Sequence, residues 1–485
     1  MSTKVFADEP GITADGLPVE HELPERVGVV VLGGGMAGAA AMLAAAEEGQ
    51  YAILLEKLPV LGGSTIRSAG LSAFVGTDEQ REQGIEDSEE LLRSDLLAVG
   101  GHRNDPELVD TYVAHQAGTY RWLKEHGVEY GHIHAASGQS VPRSHPSDTT
   151  ATLRRLFTAA GALGARIILD APVERLLTEG EGSERRVIGV VVERDGEEHT
   201  VLCDAVVVAT GGFARDRELL DRVAPQMEHA LLAGGPGNSG DGMVMAQALG
   251  AGVRDLPWIK GTYGIYAEPH PGEDGTGILA VYKGAIMVDV HGHRFVDESR
   301  PYKELGDASL AQEGGWTWQV LDARAMALTS DEVPIYDFAG RLSAGMLEVA
   351  DTVEELAERL GTDPGVLEES VRDYNARIAA GEPDARGRRH LVGGVGHPTP
   401  IDTPPYYAQR SGTVVLATYC GLTVDPSMRV LDVFGDPIQR LYAAGEVVGG
   451  LHGAGYMTGS SIGKAAIFGR IAGTHAAHEE SDLEW

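Results

Sequence analysis

The sequence predicts an α/β protein built on parallel strands, and three observations support this fold class. Short apolar runs of the kind found in buried parallel strands occur at 26–32, 51–56, 206–208 and 441–444. An alanine-rich helical segment at 39–48 separates the first two runs, as a β–α–β unit requires. Glycine supplies 65 of the 485 residues without a collagen-like period, which indicates many close approaches of the backbone.

Composition and charge exclude several function classes. Lys and Arg number 39 and Asp and Glu number 72, and the net charge of −33 argues against a nucleic-acid or anionic-membrane surface. The two cysteines, Cys203 and Cys420, lie far apart, so we expect no disulfide scaffold, iron–sulfur cluster or metal site. Residues 1–26 lack the apolar core of a signal peptide, and glycines interrupt the longest apolar stretch. We therefore expect a cytoplasmic protein without a membrane span.

A glycine motif of the form GxGxxG follows the first predicted strand directly. Gly33 suits the tight turn, Gly35 allows a pyrophosphate to approach the backbone, and Gly38 allows the helix to pack on the strand. The helix N-terminus attracts the diphosphate. Glu56 ends the second strand, 21 residues after Gly35, close to the spacing expected of an acid that binds ribose hydroxyls. The sequence therefore predicts a Rossmann-like dinucleotide-binding domain.

The segments beyond Glu56 favour FAD over NAD. A second Gly/Ser-rich turn spans 61–71, and further strand-and-glycine segments follow at 206–213 and 441–446. The arrangement of these segments over the whole chain resembles that of the flavoproteins with two dinucleotide-binding motifs, in which FAD extends through the domain.

Matching segments along nearly the whole chain resemble the flavoprotein family of fumarate reductase and succinate dehydrogenase, which includes the 3-ketosteroid dehydrogenases. They are GGGMAG, EKLPVLGGSTIRSAG, PRSHP, ATGGF, NSGDGMVMAQALGAG, HRFVDE and, most specific, LYAAGEVVGGLHGAGYMTGSSIGKAAIFGRIAG from Leu441. The resemblance implies FAD, and we expect it to be bound non-covalently. The residues that it and the glycine motif assign to cofactor binding are Gly33, Gly35, Met36, Ala37, Gly38, Glu56, Lys57, Gly63, Ser64, Thr65, Ser68, Ala69, Gly70, Leu71, Val173, Thr210, Gly211, Asp241, Gly445, Glu446, Ser461 and Ile462.

The same resemblance implies two domains. Residues 1–256 and 400–485 would form a discontinuous FAD-binding domain, and residues 257–399 an inserted α+β capping domain that binds substrate. Several aromatic residues of this insert, among them Tyr282 and Tyr302, suggest an apolar pocket.

Departures from the fumarate reductase pattern indicate the substrate class. Tyr456 stands where that family has a substrate-binding arginine, and Ala417 stands where it has a histidine. A site without these groups binds a dicarboxylate poorly, because the desolvated carboxylates lack compensation. The segment ending in Tyr302 resembles the active-site tyrosine motif of ketosteroid dehydrogenases. The segment around Tyr456 and Thr458 resembles the Δ4-type better than the Δ1-type, although a serine is usual where Thr458 stands.

Desaturation of a ketone needs a base for the α-proton, an acceptor for the β-hydride and a donor to the enolate oxygen. We assign Tyr456 with Thr458 as the proton-abstracting pair and Tyr302 as the carbonyl donor, and the two tyrosines could exchange these roles. Ser460 or Ser461 would cap a helix whose N-terminus points at the flavin.

Three hypotheses follow from this assignment. The first is an FAD-dependent dehydrogenase of a 3-ketosteroid or similar bulky apolar ketone, with a quinone, oxygen or another redox partner as external electron acceptor. The second is the reverse reaction, a reductase of an α,β-unsaturated acid or ketone similar to fumarate or urocanate reductase. The third is a flavoprotein subunit of an electron-transfer complex. The sequence decides neither the direction nor the acceptor.

Overall fold

A computed structural model describes residues 11–180, 182, 185–194, 196–266, 277–330, 334–391 and 396–480. The strands are β1 (Val19–Glu20), β2 (Arg26–Leu32), β3 (Ala52–Leu55), β4 (Leu71–Ala73), β5 (Ser144–Pro146), β6 (Arg166–Ile168), β7 (Val173–Glu179), β8 (Arg186–Arg194), β9 (Glu197–Val208), β10 (Leu231–Leu232), β11 (Val253–Arg254), β12 (Thr262–Tyr266), β13 (Ile286–Val288), β14 (Trp316–Asp322), β15 (Glu348–Ala350), β16 (Tyr406–Val415), β17 (Gly421–Leu422), β18 (Arg429–Leu431) and β19 (Pro437–Ala443).

The helices are α1 (Met36–Glu47), α2 (Asp78–Glu82), α3 (Glu89–Val99), α4 (Pro106–Glu125), α5 (Thr149–Ala162), α6 (Arg217–Val223), α7 (Asp241–Gln247), α8 (Tyr302–Leu310), α9 (Ala323–Met326), α10 (Phe338–Ser343), α11 (Val353–Leu360), α12 (Pro364–Ala379) and α13 (Ser460–Ala476). None of these helices combines the length and the apolar character that crossing a membrane requires, and this holds for the described residues.

The chain divides into two compact units. The larger unit contains the described residues of Pro10–Leu219, Gly234–Ile259 and Ala417–Trp485, and the smaller unit contains those of Leu220–Ala233 and Lys260–Leu416. These units are defined by packing alone, so the division into FAD-binding and substrate-binding domains stays a prediction.

The larger unit is built on a sheet in the order β1-β6-β3-β2-β9-β19-β8-β7, with β18 paired to β19. The central neighbours β3, β2, β9 and β19 run parallel, with Val30 opposite both Ile53 and Val206. These strands are buried along most of their length, as expected for parallel strands covered on both faces. The arrangement confirms the predicted α/β class.

Two helices, α1 and α13, pack closely in the larger unit because small residues line their contact. α1 is alanine-rich and buried from Met36 to Ala46. A Cβ at Gly473 of α13 would lie 2.2 Å from Ala41 O, and one at Gly469 would lie 2.4 Å from Ala37 O. Side chains are therefore excluded at both glycine positions.

The smaller unit is built on a sheet whose central strand is β16. β10, β12, β14 and β15 all pair with β16, and β13 pairs with β14. α8 lies on this sheet at a glycine, since a Cβ at Gly306 would lie 2.9 Å from Gly261 O, and Thr413 Oγ1 donates to Gly306 O at 3.1 Å. The sheet therefore fixes α8, which begins at Tyr302.

We expect the same substitution to have opposite effects at two helical glycines, because Gly473 lies in the contact between α1 and α13 and Gly118 lies outside it. We expect Gly473→Ala to lower the free energy of unfolding by about 1–3 kcal/mol, because the methyl group overlaps the α1 backbone. Gly118→Ala is the matched control. A Cβ at Gly118 of α4 meets only Arg470 Nη1 at 3.7 Å, so the gain in helix propensity should raise stability by up to ~1 kcal/mol. Thermal and urea unfolding check both, and equal effects would contradict the packing.

Candidate functional site

The first glycine loop joins β2 to the N-terminus of α1. Gly33 has a φ of 107°, and a Cβ at Gly38 would lie 1.9 Å from Gly33 O, so both positions exclude side chains. Gly35 is the N-cap residue of α1, and it has no side chain that could cap the helix. The space before Gly35 is open, since a Cβ there would meet only Thr65 Oγ1 at 3.5 Å and Gly62 O at 3.9 Å. Met36 N, the first N–H of the helix, donates to Thr65 Oγ1 at 3.0 Å. A helix N-terminus with open space before it is a suitable anion site.

Glu56 lies next to this loop, at the end of β3. Its buried carboxylate accepts hydrogen bonds from Gly34 N at 2.8 Å and from Leu58 N at 3.0 Å. Burial raises the pKa of Glu56 above its usual value, and the two backbone N–H groups oppose that rise. The acid is thus held beside the glycine loop, where a ribose-binding residue is predicted.

A chain of polar contacts connects distant segments of the predicted cofactor site. Asn238 Nδ2 donates to Ser64 Oγ and to Glu446 Oε2, each at 3.1 Å. The other oxygen of Glu446 accepts from Thr418 N at 3.0 Å. Asn238 Oδ1 also accepts from Ala214 N at 2.9 Å. The Asn238 amide and the Glu446 carboxylate therefore connect their own segments to those near residues 64, 214 and 418.

A buried lysine faces the same carboxylate. Desolvation raises the pKa of Glu446, and it lowers the pKa of Lys464 to about 8. Lys464 Nζ donates to Val448 O at 2.5 Å, and both Glu446 and Asp255 favour its charged form. Lys464 on α13 thus supplies positive charge near Glu446.

Thr210, one of the predicted cofactor residues, has an unsatisfied hydroxyl within the described part of the chain. Its hydroxyl is buried, and Oγ1 has no hydrogen-bond partner among the described residues. Buried polar atoms normally have partners, so a hydroxyl without one is compatible with a contact to a bound group. The open helix N-terminus, the buried acid Glu56 and the Thr210 hydroxyl together fit the diphosphate, ribose and polar groups of FAD.

The other predicted cofactor residues also lie in the larger unit. Lys57 Nζ contacts Asp241 Oδ2 and Ser239 Oγ, each at 2.5 Å. Positive φ angles of 50°, 68°, 75° and 80° occur at Gly63, Gly70, Gly211 and Gly445. Five of the remaining residues lie at or near the start of an element: Met36 and Ala37 in α1, Leu71 in β4, Val173 in β7 and Ser461 in α13. Ile462 follows in the first turn of α13, and Ser68 and Ala69 are exposed. Contact of each residue with FAD stays a prediction.

Tyr456 precedes α13 and directs its hydroxyl at the helix N-terminus. The phenolic oxygen accepts from Gly459 N at 3.3 Å, and hydrogen bonds from the Ser461 side chain and backbone also lower its pKa. Desolvation is the larger effect, so the pKa of Tyr456 lies above its usual value. The predicted serine cap is wrong: the N-cap is Gly459, with a φ of 88° and no side-chain cap. Gly459 adopts this left-handed turn without strain, and the Tyr456 hydroxyl lies where a capping group would be.

The backbone around Thr458 is fixed by a neighbouring loop. Thr458 N donates to Ser137 O at 3.0 Å, and Gln139 Nε2 donates to Thr458 O at 2.8 Å. Behind them, Arg143 is fully buried and pairs with Asp87 and Asp95. The Tyr456–Thr458 segment is therefore held rigidly in the larger unit.

Tyr302 lies in the smaller unit, at the first position of α8 and next to the phenol of Tyr282. Tyr282 Oη donates to Arg300 O at 3.3 Å. Upstream, the fully buried Glu298 accepts hydrogen bonds from Met287 N and from two arginines, Arg294 and Arg388. This network fixes the segment that precedes Tyr302.

Sequence reasoning missed four residues that the fold brings to these sites: Asn238, Thr418, Tyr419 and Lys464. Asn238 and Lys464 each lie within a segment that matched the family, and this was their only signal. Tyr419 stacks on Tyr456 with ring centroids 4.9 Å apart. No local pattern places residues 238, 418, 419 and 464 near Glu446 or Tyr456.

The contact between Asn238 and Glu446 predicts a pH-dependent loss of stability in Asn238→Asp. Two carboxylates would face each other at about the present 3.1 Å, which raises their folded-state pKa values above the unfolded ones. The destabilisation should be complete at high pH and should shrink as the pH falls from about 8 towards 5. Thermal unfolding at several pH values measures it.

The matched control is Asn238→Leu, which removes the amide without adding charge. We expect it to cost about 1–3 kcal/mol, with a weaker dependence on pH. A stability of Asn238→Asp equal to that of wild type at neutral pH would contradict the contact.

Comparison with known proteins identifies the family. Residues 28–462 match the family model described as "FAD binding domain". The chain is 32% identical, over 94% of its length and 76% of the relative's, to a probable fumarate reductase of Shewanella frigidimarina. A solved flavocytochrome c3 fumarate reductase in the open conformation superposes with a TM-score of 0.80 at 31% identity, covering 94% of this chain and 79% of that one.

A second solved structure is similar over almost its whole length. The 3-ketosteroid-Δ4-(5α)-dehydrogenase of Rhodococcus jostii RHA1 matches with a TM-score of 0.76 and 26% identity, covering 96% of this chain and 99% of that one. These matches confirm the predicted fold and FAD as the cofactor. The chain therefore belongs to the FAD-binding domain family, within the fumarate reductase and succinate dehydrogenase superfamily of flavoproteins, and it is an FAD-dependent oxidoreductase.

Proposed function

We propose that the protein is a dehydrogenase that introduces a double bond α,β to a ketone, in a 3-ketosteroid or a similarly bulky cyclic ketone. The observation that carries the proposal is the Tyr456 phenol at the N-terminus of α13. The resemblance to the fumarate reductases implies a substrate-binding arginine at this position. A phenol exchanges a proton with a carbon acid, but it gives little compensation for a buried carboxylate. Ala417 also lacks charge, which supports an apolar substrate.

The protein's own residues handle the proton in this proposal. The oxygen of Tyr456 takes the α-proton, and the hydrogen bonds from Gly459 and Ser461 stabilise the charge that develops on the phenol. The N-terminus of α13 adds a favourable partial charge. Thr458 passes the proton to solvent, and Tyr302 donates to the carbonyl oxygen, although the two tyrosines could exchange these tasks.

Bound FAD supplies the acceptor for the β-hydride. The residues proposed to hold it are those of the two glycine turns, Glu56, Thr210, Glu446 and the first turn of α13. In this arrangement residues 1–256 and 400–485 form the cofactor domain, and residues 257–399 bind the substrate. An external acceptor, such as a quinone, oxygen or another redox partner, then removes the electrons.

A second candidate is the reverse reaction, the reduction of an α,β-unsaturated acid or ketone. The specific observation in its favour is the similarity to proteins named as fumarate reductases, which exceeds the 26% identity to the ketosteroid dehydrogenase. The same phenol would then deliver a proton instead of taking one. A third arrangement, a flavoprotein subunit that docks on a separate redox partner, is compatible with either direction.

An anaerobic absorbance titration of the purified holoenzyme with a 5α-saturated 3-ketosteroid tests the proposal. We expect the band of oxidised flavin to bleach, and Tyr456→Phe to slow the bleaching by about 10²–10⁴-fold, because a general base is lost. The wild-type rate should rise with pH above neutrality, since the phenolate is the reactive form and the pKa of Tyr456 is raised. This pH dependence should disappear in Tyr456→Phe.

Tyr51→Phe is the matched control. Tyr51 is exposed in the larger unit, so its substitution should leave the rate unchanged. Failure of every saturated ketone to bleach the flavin would overturn the dehydrogenase proposal. Reoxidation of the chemically reduced enzyme by fumarate or urocanate would then support the second candidate.

A further inference from the structure

Three aromatic rings cluster beside the N-terminus of α13. The rings of Tyr419 and Tyr456 are stacked, with centroids 4.9 Å apart and an interplanar angle of 25°. His452 meets the Tyr419 ring edge-on at 5.2 Å and lies 5.5 Å from the Tyr456 ring. His452 Nδ1 is 3.3 Å from Ser460 Oγ, in the first turn of the helix. The cluster therefore surrounds the phenol to which we assign proton transfer.

The backbone of Tyr419 is strained. Its φ of 57° lies in the left-handed region, which large side chains rarely adopt. Such conformations persist only where the surroundings enforce them, and they concentrate at functional sites. A glycine or asparagine at 419 would adopt the same backbone more easily, so local folding alone does not explain a tyrosine there.

Anchors on both sides of Tyr419 hold it in this conformation. On one side, Thr418 N donates to Glu446 Oε1 at 3.0 Å. On the other, a Cβ at Gly421 would lie 1.9 Å from Val447 O, so the backbones touch directly. With both neighbours fixed, the Tyr419 ring is directed onto Tyr456.

We propose that Tyr419 is a positioning residue for Tyr456: the stacked ring restricts rotation of the Tyr456 side chain and keeps its hydroxyl at the N-terminus of α13. This inference rests on the proposed function, in which that hydroxyl moves the proton. The stack needs a ring but not the Tyr419 hydroxyl. The left-handed backbone at residue 419 accompanies a ring that covers one face of the Tyr456 phenol.

Three substitutions distinguish the effect of the Tyr419 ring from the effect of its backbone conformation. Tyr419→Phe keeps the stack, whereas Tyr419→Gly and Tyr419→Asn remove the ring and relieve the left-handed strain, so both should fold. With a saturated ketosteroid under anaerobic conditions, we expect Tyr419→Phe to reduce flavin at the wild-type rate. The Gly and Asn variants should lose roughly tenfold to a hundredfold in kcat, with little change in KM and an altered pH profile.

A second readout needs no substrate. In holoenzyme labelled with ¹³Cζ-tyrosine, the NMR signal of Tyr456 is the one that disappears in Tyr456→Phe. We expect this signal to broaden in Tyr419→Gly and Tyr419→Asn, because the freed phenol exchanges between rotamers, and to stay sharp in Tyr419→Phe. A shift without broadening reports only the lost ring current and counts as an unchanged signal. An unchanged Tyr456 signal and pH profile in both ring-less variants would overturn the proposal.

The two readouts distinguish failure of this inference from failure of the proposed function. If no ketone reduces the wild-type flavin but the Tyr456 signal still responds to loss of the ring at 419, the positioning role stands and the proposed substrate class falls. If ketones reduce the enzyme but the ring-less variants behave as wild type, the positioning role falls alone.

Discussion

The carboxylate of Glu446 is the group on which the candidate site depends. An ionised carboxylate away from water must be compensated by hydrogen bonds and opposite charge. Asn238 and Thr418 supply the hydrogen bonds, and Lys464 on α13 supplies the charge. A Cβ at Gly212 would lie 2.3 Å from Glu446 Oε1, so the glycine there lets the carboxylate approach. Satisfying one buried carboxyl group thus draws four distant segments of the chain together.

The N-terminus of α13 affects both the capping of the helix and the ionisation of Tyr456. Its backbone N–H groups have no partners within the helix, so they need an acceptor. The structure supplies the Tyr456 oxygen there instead of a serine cap. Burial opposes ionisation of that phenol while the hydrogen bonds favour it. The ionised form of such a phenol is disfavoured in the free protein, but hydrogen bonds stabilise the charge that develops on its oxygen. These properties suit a base that acts only when substrate is bound.

The names of the relatives and the proposed chemistry of Tyr456 favour different substrates. The fold is shared by a fumarate reductase and by a ketosteroid dehydrogenase, so the fold selects neither reaction. In the proposed function a few side chains select the substrate, because a dicarboxylate requires cations that Tyr456 and Ala417 do not provide. The direction depends on the electron donors and acceptors that the flavin meets, which lie outside these side chains.

The sequence by itself determined the α/β class, the first glycine loop and its acid, and the family. Each depends on local patterns: apolar runs, glycine spacing, and motifs such as the one that contains Tyr456. The cofactor followed from the same motifs, because the turns that contact a dinucleotide are short and contiguous.

Only the tertiary structure decided the contacts between segments. The partners of Glu446, the charge of Lys464 near it, and the stack of Tyr419 on Tyr456 join residues up to 208 positions apart in the chain. The cap of α13 was also decided by the fold, since Gly459 and a phenol replace the serine that local propensity favoured. Burial and hydrogen bonding between distant segments have no local signature, because they arise only when the sheet and α13 bring those segments together.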